Sequence, residues 1–197
     1  QLNGSEILAK ALKREGVEDV FFLMGGPMLT AEAATINEGI RCIDVRHEQA
    51  AAMMAQAYSR LHQRPGFCMA ASGPATINLS TGLANALIDC CPVVALGGAS
   101  PVLGNGRQVF QEIDQMEIMS GCVKYAVRVH DAARIPEMLN VAIQRSMSGK
   151  PGPVYLDLPG DVLYQMVDED KIDWSQSGRP ILGARPPAPS AQIEELV

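Results

Sequence analysis

Apolar residues along this chain fall into two textures. Short unbroken runs, such as 20–24 (Val-Phe-Phe-Leu-Met) and 92–96 (Pro-Val-Val-Ala-Leu), read as strands buried on both faces. Between them lie stretches in which apolar residues recur every third or fourth position. Residues 5–15 put Ile7, Leu8, Ala11 and Leu12 on one face, with Gly16 as the stop. Residues 132–147 put Ile135, Met138, Leu139, Ala142, Ile143 and Met147 on one stripe. The full reading predicts strands at 20–24, 41–45, 66–71, 92–96, 123–129 and 154–158. It predicts helices at 5–15, 30–38 (capped by Thr30), 48–61, 75–88 and 132–147, with a short one at 114–120.

Strands that alternate with helices, and that read as apolar runs, imply an α/β fold. The expected architecture is a doubly wound, mostly parallel sheet of about six strands with helices on both faces. Ligands of such sheets bind outside the carboxyl ends of the strands. The unusual segments of this chain all follow a strand: Gly25-Gly26-Pro27, Glu48, Ser72-Gly73-Pro74 and the glycine-rich loop 97–106. The periodic pattern fades near residue 165. Residues 1–165 are therefore expected to form one domain. Residues 166–197 are expected to be a polar, then proline-rich linker that leads into the first turns of another helix at 193–197. That ending, together with a start at Gln1, points to a chain cut from something longer.

Composition narrows the function classes. Of 197 residues, 47% are hydrophobic but only 5% aromatic, so the core must be built from Ala, Val, Ile, Leu and Met. The net charge is -6 and no basic patch is interleaved with aromatics, which argues against nucleic acid as a partner. No apolar run approaches the roughly 18 residues of a membrane span, and no signal peptide is visible. The five cysteines, Cys42, Cys68, Cys90, Cys91 and Cys122, are odd in number and widely spaced. They read as free thiols in a reducing compartment, the cytoplasm, rather than as a metal knuckle or redox pair.

Single motifs carry little by themselves. His47-Glu48 lacks the second histidine that a zinc peptidase needs, because position 51 is Ala51. Ser72 sits at a strand-to-helix turn, as a nucleophile would, but the glycine two residues earlier is absent. Turn chemistry accounts for Ser72-Gly73-Pro74, although backbone groups there can still line a ligand pocket. Gly25-Gly26-Pro27 lacks the third glycine of a dinucleotide loop. Residues 110–115 read as a helix start with acids placed against its dipole. Glu48 is either a first-turn acid of its helix or a carboxylate that meets a ligand or partner chain.

The combination is more specific. Arg46-His47-Glu48-Gln49-Ala50-Ala51, Ser72-Gly73-Pro74 with Asn78, Phe110-Gln111-Glu112-Ile113-Asp114, and Gly149-Lys150-Pro151-Gly152-Pro153 running into Val154-Tyr155-Leu156-Asp157-Leu158-Pro159 occur in order. This set resembles the N-terminal, pyrimidine-binding domain of the thiamine-diphosphate enzymes of the acetolactate synthase group. That group also includes oxalyl-CoA decarboxylase, 2-hydroxyacyl-CoA lyase and benzaldehyde lyase. The likeness runs from about residue 5 to 162.

The resemblance implies thiamine diphosphate as cofactor, held here by its pyrimidine half. It implies a lyase, decarboxylase or carboligase acting on 2-oxo acids or 2-hydroxyacyl compounds. Glu48 would hydrogen-bond ring nitrogen N1′ and so activate the cofactor. Gly25, Gly26 and Pro27 would form the loop near the thiazolium, and Ser72, Pro74 and Asn78 would face or pack against the pyrimidine. Phe110 and Gln111 would lie on the substrate side, with Gln111 a second catalytic candidate. No metal ligand is assigned. Mg²⁺ belongs to the diphosphate domain, and Pro159-Gly160-Asp161-Val162 lacks the second glycine of that domain's Gly-Asp-Gly motif. The chain alone is therefore expected to be inactive, as an N-terminal fragment or one half of a split enzyme. Its partners would be a second copy, in a homodimer or higher oligomer packed through the small-sided helix at 50–57, and the diphosphate domain of another subunit. The alternative is a non-catalytic dimerisation or regulatory module of the same fold.

Two departures from the group bear on its chemistry. The usual Ser-Gly-Pro-Gly turn continues here as Ser72-Gly73-Pro74-Ala75. The loop Met24-Gly25-Gly26-Pro27-Met28 has no histidine, which weighs against chemistry of the pyruvate decarboxylase kind.

Overall fold

The structure, a computed structural model, describes residues 1–179 and Glu194. Eight strands and eight α-helices are assigned in that region. They are β1 (Leu2–Asn3), α1 (Gly4–Arg14), β2 (Asp19–Leu23), α2 (Leu29–Asn37), β3 (Arg41–Asp44), α3 (Glu48–His62), β4 (Gly66–Ala70), α4 (Pro74–Asn78), α5 (Ser80–Ile88), β5 (Val93–Ala99), α6 (Gln115–Ser120), β6 (Tyr125–Arg128), α7 (Ile135–Met147), β7 (Val154–Pro159), α8 (Gly160–Tyr164) and β8 (Met166–Val167). Among the described residues, no helix is long and apolar enough to cross a membrane.

Six strands form one all-parallel sheet in the order β3-β2-β4-β5-β7-β6. The α/β fold expected from the apolar runs is therefore the fold observed. The chain leaves β2 toward β3 and then returns to place β4 on the other side of β2. The loops after β2 and β4 thus diverge across a topological switch point, where sheets of this kind open a crevice.

Two cores flank the sheet, and they differ in grain. On one face α1, α2 and α7 cover Val20, Phe22, Met69, Leu96 and Leu156 with large side chains, among them Leu8, Leu12 and Leu139. On the other face α3 and α5 present Ala51, Ala52, Ala55, Leu83 and Ala86. The small side chains let the α3 backbone settle on its neighbours. A Cβ at Gly82 of α5 would stand 2.6 Å from the Ala52 Cβ, and one at Gly66 would meet the carbonyl of Ala55.

The ends of the domain are tied together. Asn3 caps α1 through a capping box: its Oδ1 accepts the Glu6 N–H at 2.9 Å, while the Asn3 N–H donates to Glu6 Oε2 at 2.8 Å. β1 pairs antiparallel with β8, Leu2 opposite Val167. Beyond β8, Ile172 is buried and Trp174 packs on the large-residue core with the Arg14 guanidinium 4.6 Å from its ring centre. The Gly178 N–H donates to Glu15 at 2.9 Å. Residues 166–179, assigned to a linker by their polarity, thus lie against the domain. The proline-rich remainder and the helical turns expected at 193–197 fall outside the described residues, Glu194 excepted.

Other differences have local causes. β5 runs to Ala99, three residues beyond the expected end, because Gly97 and Gly98 are strand residues rather than loop. A Cβ at Gly97 would stand 2.6 Å from the Tyr155 ring, and one at Gly98 would stand 2.9 Å from Pro27. These glycines mark close approach, not a turn. The helix expected over 75–88 is two helices that meet at Leu79. Thr30 does not cap α2: Met28 is the N-cap residue, and the Thr30 hydroxyl instead lies 2.7 Å from the Ser5 hydroxyl. All five cysteines are free. Cys68 and Cys91 are buried, and Cys42, Cys90 and Cys122 are half-buried.

Candidate functional site

The site is assembled from the loops at the carboxyl ends of β2, β3, β4 and β5. Glu48 is the first residue of α3, directly after β3. His47 takes extended backbone and caps the helix, its Nδ1 accepting the Gln49 N–H at 3.2 Å. Glu48 is buried, 7% exposed. Its Oε2 accepts the Asn78 amide at 2.9 Å. Its Oε1 finds no partner among the described residues. Asn78 ends α4, and Pro74 begins it. One helical turn separates them, so they share a face. Pro74 is exposed and Asn78 half-buried.

The turn after β4 is fixed from two sides. The Ser72 hydroxyl donates to Gln111 Oε1 at 2.7 Å and approaches the Gly26 carbonyl at 3.3 Å, which also receives the Ser72 N–H at 3.3 Å. Ser72 thus bonds to a glutamine and a backbone carbonyl rather than to a histidine, so no base is in place for nucleophilic chemistry. Gly73 has φ of 61°, and a Cβ there would collide with the Gln111 backbone. Gly25 packs as tightly, since its Cβ would stand 2.6 Å from that of Ala71. Gly26, Pro27, Ser72 and Phe110 line one cleft with Ala99, Ser100, Pro101 and Val109, of about 300 Å³. Phe110 is 84% exposed at its mouth. Gln111 sits behind that mouth with φ of 58°, bonded to Ser72.

The predicted site residues therefore form two neighbouring groups. Gly26, Pro27, Ser72 and Phe110 share a cleft, with Gln111 attached and Gly25 beneath. Glu48 and Asn78 pair with each other one helix away, joined to the first group through Pro74.

A third group was not anticipated. Gln115, the first residue of α6, is 2% exposed. Its Oε1 accepts the Gly73 N–H at 2.8 Å. Its amide nitrogen lies 2.8 Å from the Gly98 carbonyl, 2.7 Å from the Tyr155 hydroxyl and 2.6 Å from Asp157 Oδ1. Tyr155 donates to Asp157 Oδ1 at 2.5 Å, and Arg128 donates to Oδ2 at 2.5 Å. Burial, reinforced by the Asp157 carboxylate, pushes the Tyr155 hydroxyl well above its ordinary value. This knot anchors the Ser72-Gly73-Pro74 turn to the middle of the sheet. A glutamine opening a short helix gives no signal in the sequence, and Tyr155 and Asp157 enter the sequence reading only within the strand at 154–158 and the motif set that contains it.

A separate cleft of about 270 Å³ lies at the opposite edge of the sheet, near Asp19, Tyr58, Arg64 and Phe67. Two of its acids are held in ion pairs. Arg64 pairs with Glu18 at 2.5 Å, and Arg41 with Asp19 at 2.5 Å.

The model of the family described as "Thiamine pyrophosphate enzyme, N-terminal TPP binding domain" matches residues 2–118, more than half of the chain. The chain belongs to this family of thiamine pyrophosphate enzymes. The resemblance read from the motifs is thereby shown. Similar proteins agree with it. "Acetolactate synthase 2, chloroplastic" of Nicotiana tabacum is 40% identical over 177 residues, covering 89% of this chain and 26% of that protein. "Acetolactate synthase isozyme 2 large subunit" of Escherichia coli (strain K12) is 37% identical over 173 residues, covering 88% and 31%. "2-hydroxyacyl-CoA lyase" of Arabidopsis thaliana is 33% identical over 190 residues, covering 93% and 33%. The chain thus spans between 26% and 33% of the length of these three relatives.

Proposed function

We propose that this chain is the pyrimidine-binding part of a thiamine-diphosphate-dependent lyase, decarboxylase or carboligase that acts on 2-oxo acids or 2-hydroxyacyl compounds. Glu48 carries the proposal. It is a buried carboxylate at the carboxyl edge of a parallel sheet, with one oxygen held by Asn78 and the other unpartnered. A carboxylate in that state fits a ring nitrogen that shares a proton with it.

Thiamine diphosphate supplies an electron sink for carbanions formed when a bond next to a carbonyl breaks. The chain's own residues bind and orient. Glu48 holds a proton at pyrimidine N1′, and Asn78 fixes the carboxyl plane so that the unpartnered oxygen faces the ligand. Pro74, on the same face of α4 as Asn78, gives the pyrimidine an apolar surface. Gly26 and Pro27, on the other wall, leave room for the rest of the cofactor, since a Cβ at Gly26 would meet nothing within 4 Å. Gln111 reaches the cleft beside Ser72, and Phe110 closes its rim against water.

The diphosphate and its Mg²⁺ are assigned to a domain outside this chain, contributed by another subunit. The coverage of the relatives supports a chain that is part of a longer or split enzyme. The Ala-rich face of α3, expected to pack on a second copy, is spent on α5 and the sheet, so assembly with a second copy is supported instead by the exposed Met53 and Met54 of the same helix. Five unpaired cysteines support a reducing compartment such as the cytoplasm. A non-catalytic dimerisation module of the same fold would leave the unpartnered Glu48 oxygen without a task.

The test is Glu48→Gln in the full-length protein. Loss of a positioned proton-transfer group is expected to lower kcat about 10²- to 10⁴-fold. Turnover within a few-fold of wild type would overturn the assignment.

A further inference from the structure

A second buried carboxylate stands behind the candidate site, on the other face of the sheet. Glu32, in the first turns of α2, is 1% exposed. Neither of its carboxyl oxygens makes a hydrogen bond of normal geometry with any described residue. Buried carboxylates are ordinarily saturated, because an unpartnered one forfeits its hydration with nothing in exchange. The resemblance to the acetolactate synthase group gave this residue no role.

Its surroundings say what it acts on. The Gly25 N–H lies close enough to favour the ionised form of Glu32. Gly25 is wedged against Ala71, and the next carbonyl, Gly26 O, receives both the N–H and the hydroxyl of Ser72. Ser72 in turn holds Gln111. Glu32 therefore lies beside the Gly25-Gly26 peptides, which are bonded in turn to Ser72 in the turn after β4. The charged and titratable groups around Glu32 are few. From β3, Asp44 faces it and opposes its ionisation, while Asp44 itself pairs with Arg46 at 3.0 Å. Cys42, also on β3, has a thiol pushed up to about 11 by burial and the nearby Glu32, so it stays neutral. From α1, Lys10 is paired at 3.2 Å with Glu38 beyond the far end of α2.

We propose that Glu32 is a positioning residue of the cofactor site, an acceptor behind the Gly25-Gly26-Pro27 loop that grips the loop when ionised and slackens it when protonated. Burial raises its carboxyl to about 7, so both forms are populated near neutrality. Ionised Glu32 accepts the Gly25 N–H and holds Gly26 O against Ser72. Protonated Glu32 accepts less strongly, and the loop loses that restraint. The carboxyl touches neither cofactor nor substrate. The inference rests on the thiamine-diphosphate reading of the site.

The experiment uses the full-length protein as wild type, Glu32→Gln and Glu32→Leu. Thermal unfolding without cofactor and thiamine-diphosphate affinity with Mg²⁺ are measured from pH 6 to pH 8.5. Titration of the cofactor itself is common to all three proteins, so the readout is the affinity ratio of variant to wild type at each pH. Wild-type affinity is expected to tighten with rising pH about fivefold more than that of Glu32→Gln, the size of one ordinary hydrogen bond. Gln keeps a neutral acceptor whose strength does not change over this range, so its affinity should not follow the Glu32 titration. Leu lacks an acceptor and should bind about fivefold more weakly than wild type at pH 8.5. Cofactor binding with the same pH response in all three proteins overturns the positioning role and leaves the cofactor assignment standing. Failure of the folded wild type to bind thiamine diphosphate overturns the assignment, and this inference with it.

Discussion

Asp157 and Glu48 are both buried carboxylates toward the same edge of one sheet. Asp157 accepts hydrogen bonds from Gln115, Tyr155 and Arg128, and none of its surface is exposed. Glu48 accepts one, from Asn78, and is 7% exposed. The contrast separates two uses of a buried acid. One is saturated and ties three elements together. The other is oriented from one side and left open on the other. Saturation is what stability asks for, and an open lone pair is what ligand chemistry asks for.

Substitutions can break this comparison. The largest effect is expected for Glu48→Gln in the full-length enzyme: a kcat lower by about 10²- to 10⁴-fold, with unfolding free energy within about 1 kcal/mol of wild type because the Asn78 contact survives. Asp157→Ala should behave in reverse. Arg128 and the Tyr155 hydroxyl would lose their acceptor in the core, and urea unfolding is expected to show a loss of about 3–5 kcal/mol. If Asp157→Ala left stability unchanged while Glu48→Gln lowered it, the two roles would be exchanged.

Glu32 sharpens the comparison as a buried acid with no saturating partners at all. Its folded-state pKa, about 7, lies above the ordinary 4.5, so the folded protein holds this proton more tightly than the unfolded chain does. The associated stability is full below about pH 4.5 and is lost as pH rises through 7, amounting to roughly 3 kcal/mol at most. Unfolding measured against pH should therefore show wild type losing ground to Glu32→Gln between pH 5 and pH 8. Parallel curves would show that Glu32 titrates normally. The smallest effect belongs far from the site. Asn3→Ala removes the α1 capping box and should cost about 1 kcal/mol in urea unfolding, without altering cofactor affinity.

Much of the fold is legible in the sequence, because a strand buried on both faces must be an unbroken apolar run and an outer helix must be striped. β2, β4 and β7 are read that way to within a residue or two. The reading fails where the backbone, rather than the side-chain pattern, sets the structure. Gly97 and Gly98 look like loop until Tyr155 and Pro27 are seen filling the space of their missing side chains. Ile172 and Trp174 are too sparse among acids and serines to register as packed. In the site, Glu48 and Ser72 are legible because they sit at strand ends within a recognisable set. Gln115 is not, since its importance comes from partners at least 17 residues away in sequence, and Glu32 is not, since its importance comes from partners withheld.

The pairing of β1 with β8 has a consequence for how such a domain is carried. Leu2 lies opposite Val167, so the strand that enters the domain and the strand that leaves it lie side by side. The polypeptide beyond β8 nevertheless leaves from another place, because residues 168–179 run on to Glu15 at the C-terminal end of α1, about one helix length from the strand by which the chain enters.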